Sequence, residues 1–354
     1  MSNCSFLKEE KEVIKNMGIA GVDTHKTKCY GIIEENGKII DEREFLNTRE
    51  GWRKFLAEKL GLKVVIEANY LSEPVYRILE ELDVDFKVAS PHKVRVIAEA
   101  SIKTDRIDAK RLVELERAGL IPEVWVPPRE IRDLRHLVRY RTFLVRIRTR
   151  IKNRLHVELG REEVNTEDIT YKYLETVKDK SVMIDQLYRL LKETSQKINE
   201  IEKLIDARWE STEDAKILDT TPGIGKYSSL LLAAEIGDVN RFSMSDKLAS
   251  YAGLVPRTHQ SGTKLWHGSI TKEGNGWIRW CLEECVSSHV YRCPDSPISQ
   301  YYWRLKKEKG SGKAMVAASR RLLCVIYHML KEKITFQDYM RRNILNPSRE
   351  GLQK

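Results

Sequence analysis

The chain has 354 residues, is 41% hydrophobic and 32% charged, and carries a net charge of +10 with an isoelectric point near 9.1. That length suits two or three domains, and the apolar fraction excludes a globally disordered chain. No run approaches the ~20 apolar residues of a membrane span, and the opening MSNCSFLKEEKEVIKN lacks the apolar core of a signal peptide. The basic balance favours a polyanionic partner, nucleic acid before membrane. Cys4, Cys29, Cys281, Cys285, Cys293 and Cys324 are scattered without a CxxC pair, as expected of reduced thiols in the cytoplasm. Cys281, Cys285 and Cys293 have no His or Cys at a zinc-ligand spacing and read as core thiols.

Residues 1–16 are a polar tail. GIAGVDTH, CYGIIEEN and KIIDEREF are then short β-rich runs, with Asn36-Gly37 as a two-residue hairpin turn between the second and third. GWRKFLAEKL reads as a helix, KVVIEA as a strand, LSEPVYRILEELD as a helix, DFKVASP as a strand and HKVRVIAEA as a helix. The order β-β-β-α-β-α-β-α predicts an α/β ribonuclease H-like domain over 17–124, closed by Pro122, Pro127 and Pro128. Residues 125–212 predict a long helical hairpin or coiled coil. Its first arm, RYRTFLVRIRTRIKNRL, carries Arg139, Arg141, Arg146, Arg148, Arg150, Lys152 and Arg154 and no acidic residue, with Leu144, Ile147, Ile151 and Leu155 along one face. Its second arm, from about Ser181 to Arg208, puts Ile184, Leu187, Leu191, Ile198, Ile201 and Ile205 on heptad positions, broken only by Thr194. The apolar seam fits internal packing and dimer contacts equally.

A mainly α domain is expected over 213–340, with a further tail over 341–354. Pro222-Gly223-Ile224-Gly225 between two helical runs resembles a helix-hairpin-helix element, in which Gly223, Gly225 and Lys226 would meet a phosphate. Trp266, Trp277, Trp280 and Trp303 are candidates for core packing or base stacking. Lys306, Lys307, Lys309 and Lys313 with Gly310 and Gly312 read as a basic loop.

Asp23 in GVDTHK and Glu67 in VVIEAN both follow buried apolar runs, which delivers both carboxylates to one sheet edge. Asp105 and Asp108 in KTDRIDAK share a face if that segment is helical. Four converging carboxylates stay ionised together only if cations neutralise them, and hard oxygen donors suit Mg²⁺ or Mn²⁺.

GVDTHK, IEAN and KTDRIDAKRL, in this order, resemble the N-terminal domain of the DEDD transposases of insertion sequences. These are relatives of the Piv DNA invertase, understood as bridge-RNA-guided serine recombinases with a RuvC-like first domain. PGIG, AAEIGD, RFSMSDKLASYAGLVPR, HQSGTK and SITKEGNGWIRWCL are similar to that family's second domain, so the resemblance runs from about Met17 to Val290. It departs where the family often has Thr-Gly after the glutamate, since Ala68, Asn69 and Tyr70 stand here.

The resemblance implies that Asp23, Glu67, Asp105 and Asp108 hold magnesium and that Ser261, in HQSGTK, is the nucleophile forming a 5′-phosphoserine link. Arg257 and Lys264 would contact the phosphate, and His259 is a candidate base. It implies donor and target DNA, a structured guide RNA and a dimer or tetramer as partners, with the chain near the nucleoid. Asp108 and Ser261 lie about 150 residues apart, so the two halves of such a site would come from different domains. Two other readings remain open on the residues alone. One is a RuvC-type nuclease or junction resolvase that uses water, and the other is a non-catalytic nucleic-acid-binding protein.

Overall fold

In the computed structural model, which describes residues 18–56, 61–69, 72–97, 104–164, 169–261, 264–271 and 273–345, the β-rich runs become one sheet. β1 (Ile19–Thr24), β2 (Lys28–Glu35), β3 (Lys38–Leu46), β4 (Lys63–Glu67) and β5 (Phe86–Ala89) lie in the order β3-β2-β1-β4-β5. β2 runs antiparallel to β1 and β3, whereas β1, β4 and β5 are parallel. The Asn36-Gly37 turn is as expected, with φ of 50° and 80°, the left-handed pair that a tight hairpin needs. β1 is central because it is apolar on both faces. β3, at the edge, is charged along Asp41–Glu44 and mostly exposed, which discourages pairing with another chain.

Helices cover both faces. α1 (Arg49–Leu56) and α2 (Ser72–Glu81) bury Trp52, Phe55, Val75 and Leu79 against Ala20, Val22, Val64 and Ile66. On the other face α3 (Pro91–Ile97) and α4 (Asp105–Arg117) bury Val94, Ala109, Leu112 and Val113 against Ile19, Ile32 and Val65. Gly21 sets how closely α4 approaches: a Cβ there would lie 2.2 Å from the Ala109 carbonyl oxygen and 2.7 Å from Val113 Cγ2. Gly21→Ala is therefore expected to push α4 off the sheet and destabilise the fold by about 1–3 kcal/mol. Urea unfolding measures this, and an unchanged midpoint would contradict it.

The chain divides into two compact units, Met1–Val126 and Pro127–Lys354. In the second, α5 (Arg129–Arg161) packs along α7 (Val182–Ser211), with α6 (Tyr171–Val177) and a short 3₁₀ turn between them. At one end of this pair Ile151, Leu155 and Leu159 meet Leu174, Ile184, Tyr188 and Leu191. At the other, Val138 and Ile205 join the core of the helices that follow. The heptad positions thus pack within the chain, and Thr194 is buried in the seam with them.

The following helices are α8 (Glu213–Asp219), α9 (Lys226–Ile236), α10 (Ser245–Tyr251), α11 (Gly276–Arg292), α12 (Pro297–Lys309), α13 (Ser311–Glu332) and α14 (Phe336–Leu345). α9 is mostly apolar, and every residue from Ser229 to Ile236 is buried, Glu235 included, so it forms the centre of this unit. β6 (Pro256–Ser261) and β7 (Lys264–Ile270) form a separate antiparallel hairpin. The expected basic loop is instead a helix corner: Lys306, Lys307 and Lys309 close α12, Lys313 opens α13, and Gly310 at φ 83° makes the break. Among the described residues no helix is long and apolar enough to cross a membrane.

Candidate active site and nucleic-acid interface

The parallel register pairs Val22 with Ile66, so the next residues, Asp23 and Glu67, are neighbours at the ends of β1 and β4. Side chains alternate along a strand. Gly21 and Val65 face α4, and so do Asp23 and Glu67. Asp105 and Asp108 occupy the first turn of α4, where Thr104 caps the helix by accepting from the Ile107 amide at 3.3 Å. Sheet and helix therefore bring the four carboxylates to one edge of the first unit.

Within that edge a tighter set forms. One donor atom each of Asp23, His25 and Asp105 lie within 4.8 Å of one another. His25 Nε2 is 3.4 Å from Asp23 Oδ2 and 3.3 Å from Asp105 Oδ2. Glu67 and Asp108 lie outside this triplet, and Asp108 accepts from Arg111 at 3.1 Å. Sequence reasoning passed over His25, although it stands in the GVDTHK motif only two residues from Asp23.

Three contacts hold the edge in shape. Asn69, where the family pattern differs, donates from Nδ2 to the Thr24 carbonyl at 3.0 Å and to Thr24 Oγ1 at 2.9 Å. It thereby ties the end of β4 to the end of β1. On the helix side, the Tyr30 hydroxyl and the Arg106 guanidinium both bind Glu42 and hold its carboxyl below the usual range. Arg106 thus fastens the first turn of α4 to β3. Burial, followed by the charge of Asp23, pushes the Cys29 thiol up to about 12.

In the second unit, the backbone of Ser261 closes β6 and pairs with Lys264 at the tip of the hairpin. The side chains of residues 258–267, among them His259, Ser261, Lys264 and Trp266, lie outside the described residues, as do Gly262 and Thr263. Arg257, at the base, donates to the Thr271 carbonyl at 3.4 Å and lies 3.8 Å from Glu273.

The structure narrows the nucleic-acid expectations. Gly223, at φ 93°, packs closely on α11, since a Cβ there would sit 2.6 Å from the His289 amide nitrogen and 2.8 Å from the Cys285 oxygen. Its glycine lets the turn pack on the α11 backbone. Buried His289 holds the same turn through Nδ1 to the Pro222 carbonyl at 2.6 Å, and burial lowers its pKa towards the neutral form. Gly225 is open on its Cα side, and Lys226 lies 3.5 Å from Asp206.

Most of the basic face of α5 is engaged by its own unit. Arg139 makes a two-pronged pair with fully buried Glu235 at 2.7 and 2.8 Å, a carboxylate that Asn275 also contacts at 2.7 Å. Arg141 pairs with Glu202 and lies over the Tyr227 ring, Arg146 lies over Trp277 and Trp280, and Arg154 pairs with Glu158. Arg146, Arg150, Lys152 and Arg154 are exposed and Arg148 is half-buried. Periodicity could not show most of this, because Glu202, Tyr227, Glu235, Trp277 and Trp280 come from other helices, and only Glu158 lies on α5 itself.

Comparison with known proteins matches both units. Residues 20–161 match a DEDD transposase model of the IS110 type, and residues 215–303 match the Transposase IS116/IS110/IS902 family. The transposase for insertion sequence element IS1111A of Coxiella burnetii is 26% identical over 94% of this chain and 95% of its own length. The transposase for IS1328 of Yersinia enterocolitica is 27% identical over 78% of this chain and 85% of its own. The pilin gene-inverting protein of Moraxella bovis is 33% identical over 39% of this chain and 43% of its own.

The fold, the acidic edge and these matches define an enzyme that acts on DNA, a transposase or recombinase. The chain belongs to the IS110/IS116/IS902 family of DEDD transposases. Such a family implies a divalent metal ion, and the residues fit one. Two carboxylates and an imidazole already stand within ligand reach of each other, with two more carboxylates on the same edge.

Proposed function

We propose that this transposase is an RNA-guided recombinase that cleaves and rejoins DNA strands through a 5′-phosphoserine intermediate on Ser261, with Mg²⁺ held by Asp23, Glu67, Asp105 and Asp108. The observation that carries the reading is the approach of Asp23 to Asp105 within ligand reach, with Glu67 following the β4 residue paired to Val22 and Asp108 in the same first turn of α4. The sheet order β3-β2-β1-β4-β5, with only β2 reversed, supports a ribonuclease H-like, RuvC-like first domain. When bound, the metal would neutralise the carboxylates and polarise the scissile phosphate.

Ser261 Oγ forms a bond to phosphorus as the bond to the 3′ oxygen breaks. The serine proton passes to a base, and a free 3′-hydroxyl departs. A 3′-hydroxyl of the second strand then reverses the step, so no phosphodiester is lost and no nucleotide cofactor is consumed. In this reading a structured RNA pairs with donor and target DNA. Arg148, Arg150 and Lys152 on α5, and Lys226 at the start of α9, contact RNA or DNA backbone, and Arg257 and Lys264 serve the scissile phosphate. The protein works as a dimer or tetramer.

The test is recombination of a donor and a target plasmid by purified protein in Mg²⁺, with and without RNA transcribed from the DNA flanking its gene. Joined product that needs both RNA and metal is the expected result. Product without RNA overturns guidance, and free 5′-phosphate ends without joining point to a water-using nuclease.

A further inference from the structure

We infer that His25 is itself a ligand of the metal ion at the acidic edge, and that its imidazole tilts the site towards Mn²⁺ or another borderline first-row ion and away from Mg²⁺. This rests on the proposal that the edge holds a metal.

The donor spacing carries the inference. In an octahedral site with ligands at about 2.1 Å, adjacent donors stand about 3 Å apart and opposite ones about 4.2 Å. His25 Nε2 stands 3.4 and 3.3 Å from one oxygen of Asp23 and one of Asp105, and the three atoms fall within 4.8 Å. The triplet therefore already has the spacing of one ion's ligand set, and Glu67 and Asp108 do not belong to it.

The position of His25 is built into the fold. Its amide donates to the Lys28 carbonyl at 3.0 Å, and its own carbonyl accepts from Asn47 Nδ2 at 2.8 Å. The preceding Thr24 is held at two atoms by Asn69. A backbone fixed on both sides delivers the imidazole to one place, and the side chain is 55% exposed, so an ion can reach it.

The chemistry follows from donor type. Mg²⁺ favours oxygen donors, whereas imidazole nitrogen suits first-row transition ions and strengthens their binding more. A site of carboxylates alone would discriminate less between Mg²⁺ and Mn²⁺ than one that adds an imidazole.

Pulsed electron paramagnetic resonance of the full-length protein loaded with Mn²⁺ tests ligation directly. The expected spectrum shows coupling to a directly bound imidazole nitrogen, and this coupling disappears in His25→Gln while Mn²⁺ still binds. Calorimetric titration of the same variant should show Mn²⁺ affinity falling roughly tenfold or more and Mg²⁺ affinity falling less than about threefold. Bound Mn²⁺ without nitrogen coupling overturns the role of His25 and leaves the carboxylate site standing. Equal losses for the two ions overturn the preference. No Mn²⁺ binding by the unaltered protein overturns the metal site as a whole, and Asp23→Asn supplies the reference for a site without metal.

Discussion

Ser261→Ala is expected to abolish the covalent link between protein and DNA. Alanine has no group that can bond phosphorus, so adduct formation should fall by at least about 10³-fold, to background. Ser261 ends a strand at the tip of the β6–β7 hairpin, and alanine is compatible with its extended backbone. DNA binding, measured by electrophoretic mobility shift, should therefore stay close to that of the unaltered protein. End-labelled DNA resolved on a denaturing gel reports the adduct directly. An undiminished adduct in Ser261→Ala would assign the nucleophile elsewhere. Loss of the adduct together with loss of DNA binding would mean that the hairpin had been damaged instead.

Asp23→Asn should remove metal-dependent cleavage almost as completely, by about 10²–10³-fold or more. The substitution keeps the shape of the side chain and deletes its charge. Asp23 stands beside Glu67 across the parallel register and shares the donor triplet with Asp105. Clustered like charges disfavour the metal-free fold, so deleting one should leave the melting temperature unchanged or raise it when no metal is present. Added Mn²⁺ should raise the melting temperature of the unaltered protein and not that of Asp23→Asn, since a ligand stabilises only the state that binds it. A variant that loses cleavage and also melts well below the unaltered protein in metal-free buffer would show a structural role for Asp23.

The site has two kinds of support around it. Gly21 admits α4 to the sheet, while Arg106 fastens the first turn of that helix to Glu42. Asn69 joins the two strand ends that carry Asp23 and Glu67. In the proposed site these residues hold the carboxylates in place without being ligands themselves, and small errors in such positions cost catalysis heavily. In the second unit the Glu235 cluster has a comparable task, joining α5, the end of α9 and the start of α11 through Arg139 and Asn275.

Much of this protein is decided by its sequence alone. Alternating and continuous apolar runs placed all five strands of the sheet, and Asn36-Gly37 placed the hairpin turn, because periodicity and left-handed turn residues act over a few neighbours. The ends of two apolar strands and a DxxD helix start were enough to single out Asp23, Glu67, Asp105 and Asp108 as a group. Tertiary structure alone decided what each polar group touches. On the basic stretch of α5, Arg139, Arg141 and Arg146 meet Glu235, Glu202, Tyr227, Trp277 and Trp280 from other helices. That Gly223 packs on the α11 backbone is likewise set only when the helices come together. His25 carried no signal in the sequence, and only the fold sets the Asp23 and Asp105 carboxylates beside its Nε2. Local pattern reports which face a residue occupies, but a partner on another element is fixed only when the chain closes on itself.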